Sequence, residues 1–225
     1  MKRRRFRSTK SLFLGRYFPL SLPLSSAVGR AAMEKSREKQ SAPAPVNLKP
    51  VEATPENFAE FGQVVEASPD GDEFGPQDAQ LDLSRGIPRL YIMHIEKRPL
   101  KFKTITHHAS VTQCLGSIGG GAWYLGVAKP SVLDATDHNE GDPSKRIVKS
   151  TIGHFYVPPR AEEVRIFKVT GSKFLKLNRG TWHAGPIFKE EAMDFYNLEL
   201  SNTNVVDHTT HSFTEEDGVY FVIDD

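Results

Sequence analysis

After residue 50 the chain is a succession of short apolar or alternating runs, interrupted every few positions by Gly, Pro, Asp or Asn. Residues 63–66, 89–95, 101–106, 111–115, 122–128, 153–157, 164–169, 174–177 and 193–200 are rich in β-branched and aromatic side chains, which predicts strands. In Val164-Arg165-Ile166-Phe167-Lys168-Val169 and Lys173-Phe174-Leu175-Lys176-Leu177 the pattern shifts between half-buried and fully buried strand. One short helix precedes them: Thr54 can cap it, Pro55 starts it without losing a bond, and Gly62 stops it after Phe58 and Phe61. Many short strands and no long helical period predict an all-β sandwich or barrel, and closure into a barrel would remove exposed edges. Residues 68–86 and 129–150 are polar, aperiodic and predicted to be loops. No internal repeat is found.

Composition changes this picture at the front. Residues 1–32 hold eight Lys/Arg and no acid, which leaves 21 basic against 28 acidic residues in the remainder. An Arg- and Ser-rich leader without acids has the character of an organelle transit peptide, chloroplast or mitochondrial; the alternative is a basic arm upstream of a second start at Met33, with a cytoplasmic chain. Residues 33–50, charged and then Pro/Ala-rich, are expected to be a disordered linker, and 51–225 a single domain. The acidic body argues against a nucleic-acid groove, and no apolar run is long enough for a membrane-spanning helix. Cys114 is the only cysteine, so neither an internal disulfide nor a Cys-based zinc cage can form.

Three constellations rise above background. In Thr106-His107-His108-Ala109-Ser110-Val111-Thr112-Gln113 two histidines precede a predicted strand. Adjacent residues of extended chain point to opposite faces, so at most one of the two enters a barrel interior, whereas Gln113 shares a face with Val111 and Leu115 and needs a partner there. Asn178-Arg179-Gly180-Thr181-Trp182-His183-Ala184-Gly185-Pro186 joins a guanidinium, an indole and an imidazole on a glycine-bearing turn suited to a small anion. Gly116-Ser117-Ile118-Gly119-Gly120-Gly121 lacks a following helix and is a turn, not a phosphate loop.

With Phe58-Ala59-Glu60-Phe61-Gly62-Gln63-Val64-Val65 and Tyr124-Leu125-Gly126-Val127-Ala128, these segments recur in the order found in ureidoglycolate lyases, formerly ureidoglycolate hydrolases, and the chain resembles that family across most of 51–196. The resemblance implies a cupin-like, RmlC-like jelly-roll β-barrel with a short N-terminal helix. It implies a carbon–nitrogen lyase that cleaves ureidoglycolate, or a related ureido-carboxylate, to glyoxylate and urea in allantoin degradation and purine metabolism. His183 and His108 would be the catalytic acid and base, Arg179 the carboxylate clamp, Trp182 a pocket wall and Gln113 the ureido contact. Cupin barrels often hold a divalent metal; here His108, Gln113 and His183 are the corresponding weak ligands, with His154 in reserve, so the resemblance fixes no cofactor and leaves a loosely held divalent ion open. The chain departs from the family pattern at Thr106-His107, Leu177-Asn178 and Ala184, and in a longer excursion over 129–160. A diverged member could instead be a catalytically silent cupin that binds a small acid or a protein partner. Metal-dependent isomerase or oxygenase chemistry lacks a complete ligand set. Exposed strand edges make a homodimer the expected assembly.

Overall fold

Thr54 and Asn57 close the single N-terminal turn. The Thr54 hydroxyl accepts from the Asn57 N–H at 3.3 Å, and the Asn57 side chain accepts from the Thr54 N–H at 2.9 Å, a reciprocal cap with Pro55 behind it. The computed structural model describes residues 42–133 and 146–225; the leader and its transit reading lie outside the described residues, as does the middle of the 129–150 excursion. Along the chain the elements are β1 (Ala44–Leu48), β2 (Val51–Glu52), α1 (Pro55–Phe58), β3 (Gly62–Val65), β4 (Pro88–Glu96), β5 (Lys101–Phe102), β6 (Thr104–His107), β7 (Gln113–Ser117) and β8 (Trp123–Ala128). They continue with β9 (Val132–Leu133), β10 (Val148–Lys149), β11 (Phe155–Tyr156), β12 (Arg165–Val169), β13 (Phe174–Leu177), β14 (Trp182–His183) and β15 (Ala192–Leu200). The chain ends with α2 (Thr203–Val206), β16 (Thr209–Ser212), α3 (Phe213–Glu216) and β17 (Val219–Ile223). The all-β expectation holds.

The strands form a five-stranded sheet ordered β3-β13-β7-β15-β4, a six-stranded sheet ordered β16-β6-β14-β8-β12-β2, and two three-stranded sheets, β1-β17-β5 and β10-β11-β9. None of these sheets closes on itself among the described residues, so the expected closed barrel is replaced by packed open sheets. One core fills the space between the two large sheets. Phe58, Leu115, Trp123, Leu125, Phe167, Leu175 and Phe195 meet there, with the Phe58 and Phe167 rings edge to face at 5.0 Å. A second core lies on the other face of the six-stranded sheet, where Tyr124, Ile166 and Trp182 pack with Phe213, Phe221 and Ile223. Burial on both faces explains why β8 is buried at every position.

The reading of 33–50 as disordered linker fails at its end. Ala44–Leu48 pairs in parallel with Val219–Ile223 and so covers the second core. Residues 132–133 and 148–149, expected to be loop, each pair with β11. Gly62 is required where α1 runs into β3, because a Cβ there would lie 1.8 Å from the Lys176 carbonyl oxygen. At the opposite end of the five-stranded sheet, β4 has no further strand beyond it among the described residues, and its outer face exposes Leu90 and Ile92. No helix among the described residues is long and apolar enough to cross a membrane.

Candidate functional site

Alternation along β6 and β14 sorts the histidines. Trp182 belongs to the core behind the six-stranded sheet, and His183, the next residue of the same strand, points to the other side. His107 stacks edgewise on Trp182 with ring centroids 4.1 Å apart, whereas His108 lies 5.3 Å from His183. The expectation that only one of His107 and His108 faces the interior is met, and that one is His108. The two imidazoles drawn from segments 75 positions apart in the chain converge.

Each imidazole is held by one nitrogen. His108 Nδ1 donates to the Asp207 carbonyl, and His183 Nδ1 donates to the Thr181 carbonyl at 3.2 Å. A ring N–H engaged by a carbonyl leaves Nε2 as the lone-pair atom. Burial is the largest cause that pushes both rings below the ordinary histidine range. For His183, with His108 and His208 adding to the effect, the pKa falls to about 3. For His108 the Asp207 carbonyl and the charges of Asp207 and Glu199 pull the other way. Both rings are neutral at physiological pH.

The turn that bears His108 is braced from several sides. The Asp207 carboxylate accepts from the N–H groups of Ala109 and Ser110 at 2.8 and 2.7 Å. Gly180, at φ +76, donates its N–H to the His108 carbonyl at 2.7 Å, and Arg179 Nε donates to the Ala109 carbonyl at 3.0 Å. Arg179 is therefore engaged as a brace on this turn. Its NH1 faces Asp82 at 3.7 Å, and it lines a cavity of about 370 Å³ with His154 and Ser110. Trp182 is not a wall of the His183 pocket. It packs with His107, Tyr156 and, across a longer gap, His211 on the far face, because neighbouring strand residues cannot share a side.

Facing His108 and His183, the five-stranded sheet contributes a buried polar network. Gln113 lies on the interior face with Leu115, as expected, and donates through Nε2 to Asn197 Oδ1 at 3.0 Å and to Glu199 Oε2 at 3.4 Å. Asn197 Nδ2 donates to the Tyr91 hydroxyl at 2.8 Å, and Tyr91 donates to Glu199 Oε1 at 3.3 Å. Arg89 stacks on the Tyr91 ring at 3.7 Å, and its NH1 lies 3.9 Å from Glu199 Oε1. Asn197 and Glu199 are 2% and 1% exposed, and the Glu199 charge reaches His108, so these residues belong to the same site. Sequence reasoning missed Tyr91, Asn197, Glu199 and the guanidinium of Arg89. The signal was present: Met193 and Phe195 face the core, so period two carries Asn197 and Glu199 inward.

As a metal centre the donor set fits poorly. His108, His183 and Gln113 supply two free imidazole nitrogens and a carbonyl oxygen, yet among the described residues no three His, Cys, Asp or Glu side chains gather around one point. His154 is not a reserve ligand here; its Nε2 faces His107 Nε2 at 2.6 Å on the far side of the sheet. What the arrangement can do is exchange protons through two neutral imidazoles beside an amide, a phenol and a carboxylate. In comparisons with known proteins, no family model and no curated protein matches the chain.

Proposed function

We propose that the protein is a lyase of cupin-like, jelly-roll descent that cleaves ureidoglycolate, or a close ureido-carboxylate, to glyoxylate and urea. The observation that carries the reading is the convergence of His108 and His183 with both Nε2 atoms free, opposite an amide-bearing network. The substrate hydroxyl must lose a proton as the carbon–nitrogen bond breaks and the carbonyl of glyoxylate forms, and the departing ureido nitrogen must gain one. His183 takes the hydroxyl proton, and His108 assists delivery to nitrogen. Burial keeps His183 neutral, so its Nε2 lone pair is open to the hydroxyl proton, which then passes to the departing nitrogen. Arg89, half-exposed at the edge of the site, replaces Arg179 as the group for the substrate carboxylate. No step is assigned to a metal.

The test follows glyoxylate release from ureidoglycolate. Since this substrate decays spontaneously, His183→Ala protein is the reference, and the expected ratio of wild type to variant is about 10²–10⁴. Equal rates would remove the assignment.

A further inference from the structure

We infer that Lys176 and Asn178 form a second binding site, for a small carboxylate, in the cavity that the five-stranded sheet shares with residues 67–80. This site lies on the face of the sheet turned away from the imidazole pair, and it does not rest on the lyase reading.

Strand alternation sets the place. Leu175 and Leu177 of β13 enter the core between the two large sheets, so Lys176 points to the other side, where its neighbours across the ladder are Cys114 of β7 and Gln63 of β3. Gln63 donates through Nε2 to the carbonyls of Pro76 and Asp78 at 3.2 and 3.1 Å and accepts from the Gln80 N–H at 2.9 Å. These three bonds hold residues 76–80 against this face. Lys176 is left 6% exposed, and the cavity beside it, of about 760 Å³, is lined also by Gln77, Gln80 and Asn178.

A buried ammonium calls for a counter-charge, and the chain supplies none. Lys176 Nζ donates to Asn178 Oδ1 at 2.7 Å and makes no other hydrogen bond and no ion pair among the described residues. Burial holds its pKa below the ordinary lysine range. The Cys114 thiol is no counter-ion, because burial pushes its pKa up to about 12. Asp78 accepts from the Gly75 N–H at 2.7 Å, and Glu66, also on the cavity lining, is 59% exposed with Lys173 at 3.7 Å. An ammonium has no lone pair, so Asn178 must turn its oxygen to Nζ and its NH2 away. That NH2 has no partner among the described residues, and two N–H groups of the lysine are equally unspent. Donors alone, around one positive charge, select an anion. A carboxylate matches the single charge and offers two oxygens to divide between ammonium and amide, while the cavity leaves room for a polar body beyond it.

Acetate is the probe, and amide NMR on the full chain reads its binding. The expected result is a saturable shift of the Asn178 side-chain and Lys176 backbone signals with a Kd of about 10 mM or below. Acetamide, of the same shape and uncharged, is expected to bind at least about tenfold more weakly. Lys176→Met keeps the length of the side chain and is expected to abolish saturation. Asn178→Asp, nearly isosteric, gives Nζ a carboxylate of its own and is expected to abolish it as well. Equal shifts with sodium chloride at the same ionic strength would reduce the effect to charge screening and overturn the inference. So would absence of saturation in the wild type, equal binding of acetamide, or binding that survives either substitution. Acetate binding by a protein that releases no glyoxylate would remove the lyase activity and leave this site standing.

Discussion

The two faces of the six-stranded sheet carry similar residues and do different work. On the inner face His108 and His183 each spend one nitrogen on a backbone carbonyl and keep the other free, opposite Gln113, Asn197 and Glu199. On the outer face His107 and His154 spend their Nε2 atoms on each other, and His107 is walled by Trp182 and Tyr156. His211 is closed off by Asp217 at 2.7 Å and Glu216 at 3.2 Å. His107 Nδ1 is also without a hydrogen-bond partner, but it is sealed among aromatic rings, whereas the free nitrogens of His108 and His183 lie beside a polar network where they can act on a ligand. Residue type does not separate the two roles, and the side of the strand does.

The harshest way to break this comparison is to cut into the outer face. Trp182 is fully buried, donates through Nε1 to Ser131 at 2.8 Å and packs on two aromatic neighbours, His107 and Tyr156. Trp182→Ala is expected to lower unfolding free energy by about 3–5 kcal/mol in denaturant melts. Unchanged stability would deny the outer face its structural role.

Acid acts on both faces together. His107 and His183 are each held to about 3, chiefly by burial, against an ordinary 6.5 in the unfolded chain. Between those values the unfolded chain binds protons that the folded chain refuses. Stability is therefore complete above about pH 6.5 and declines as pH falls toward 3, by an amount on the order of a few kcal/mol. Melts across that range that show a flat midpoint would mean that the rings are not held neutral.

The smallest effects distinguish the two arginines. Arg179→Ala removes a partly exposed brace and is expected to change kcat/KM by no more than about threefold. Arg89→Ala is expected to raise KM about tenfold with kcat little changed. The reverse order would return the clamp role to Arg179.

Much of the fold was legible in local pattern. The Thr54-Pro55 cap marks the start of α1, and the alternation in 164–169 and the β-branched and aromatic content of 89–95 and 193–200 match β12, β4 and β15 to within a residue. β14 was not legible, since two residues between glycines carry no period, and that strand decides which way Trp182 and His183 point. β1 was hidden because a polar, Pro-flanked segment becomes a strand only against Val219–Ile223. Those five residues, Val219-Tyr220-Phe221-Val222-Ile223, carry a plain β signal of their own. Within the site, the His108 and His183 pairing was anticipated from two motifs. The grouping of Arg179 with Trp182 and His183 followed closeness in sequence, which a turn and a strand reversal undo. Asn197 and Glu199 went unnoticed as polar residues at positions that the pattern reserves for the core.

The most direct test sets one histidine from each face side by side. Glyoxylate release from ureidoglycolate is measured for His183→Gln and His107→Gln at equal concentrations of folded protein. The expected result is that His183→Gln falls to the spontaneous rate while His107→Gln, though less stable, stays near wild type per folded molecule. Equal losses in both, or a loss in His107→Gln alone, would contradict the division of labour between the two faces.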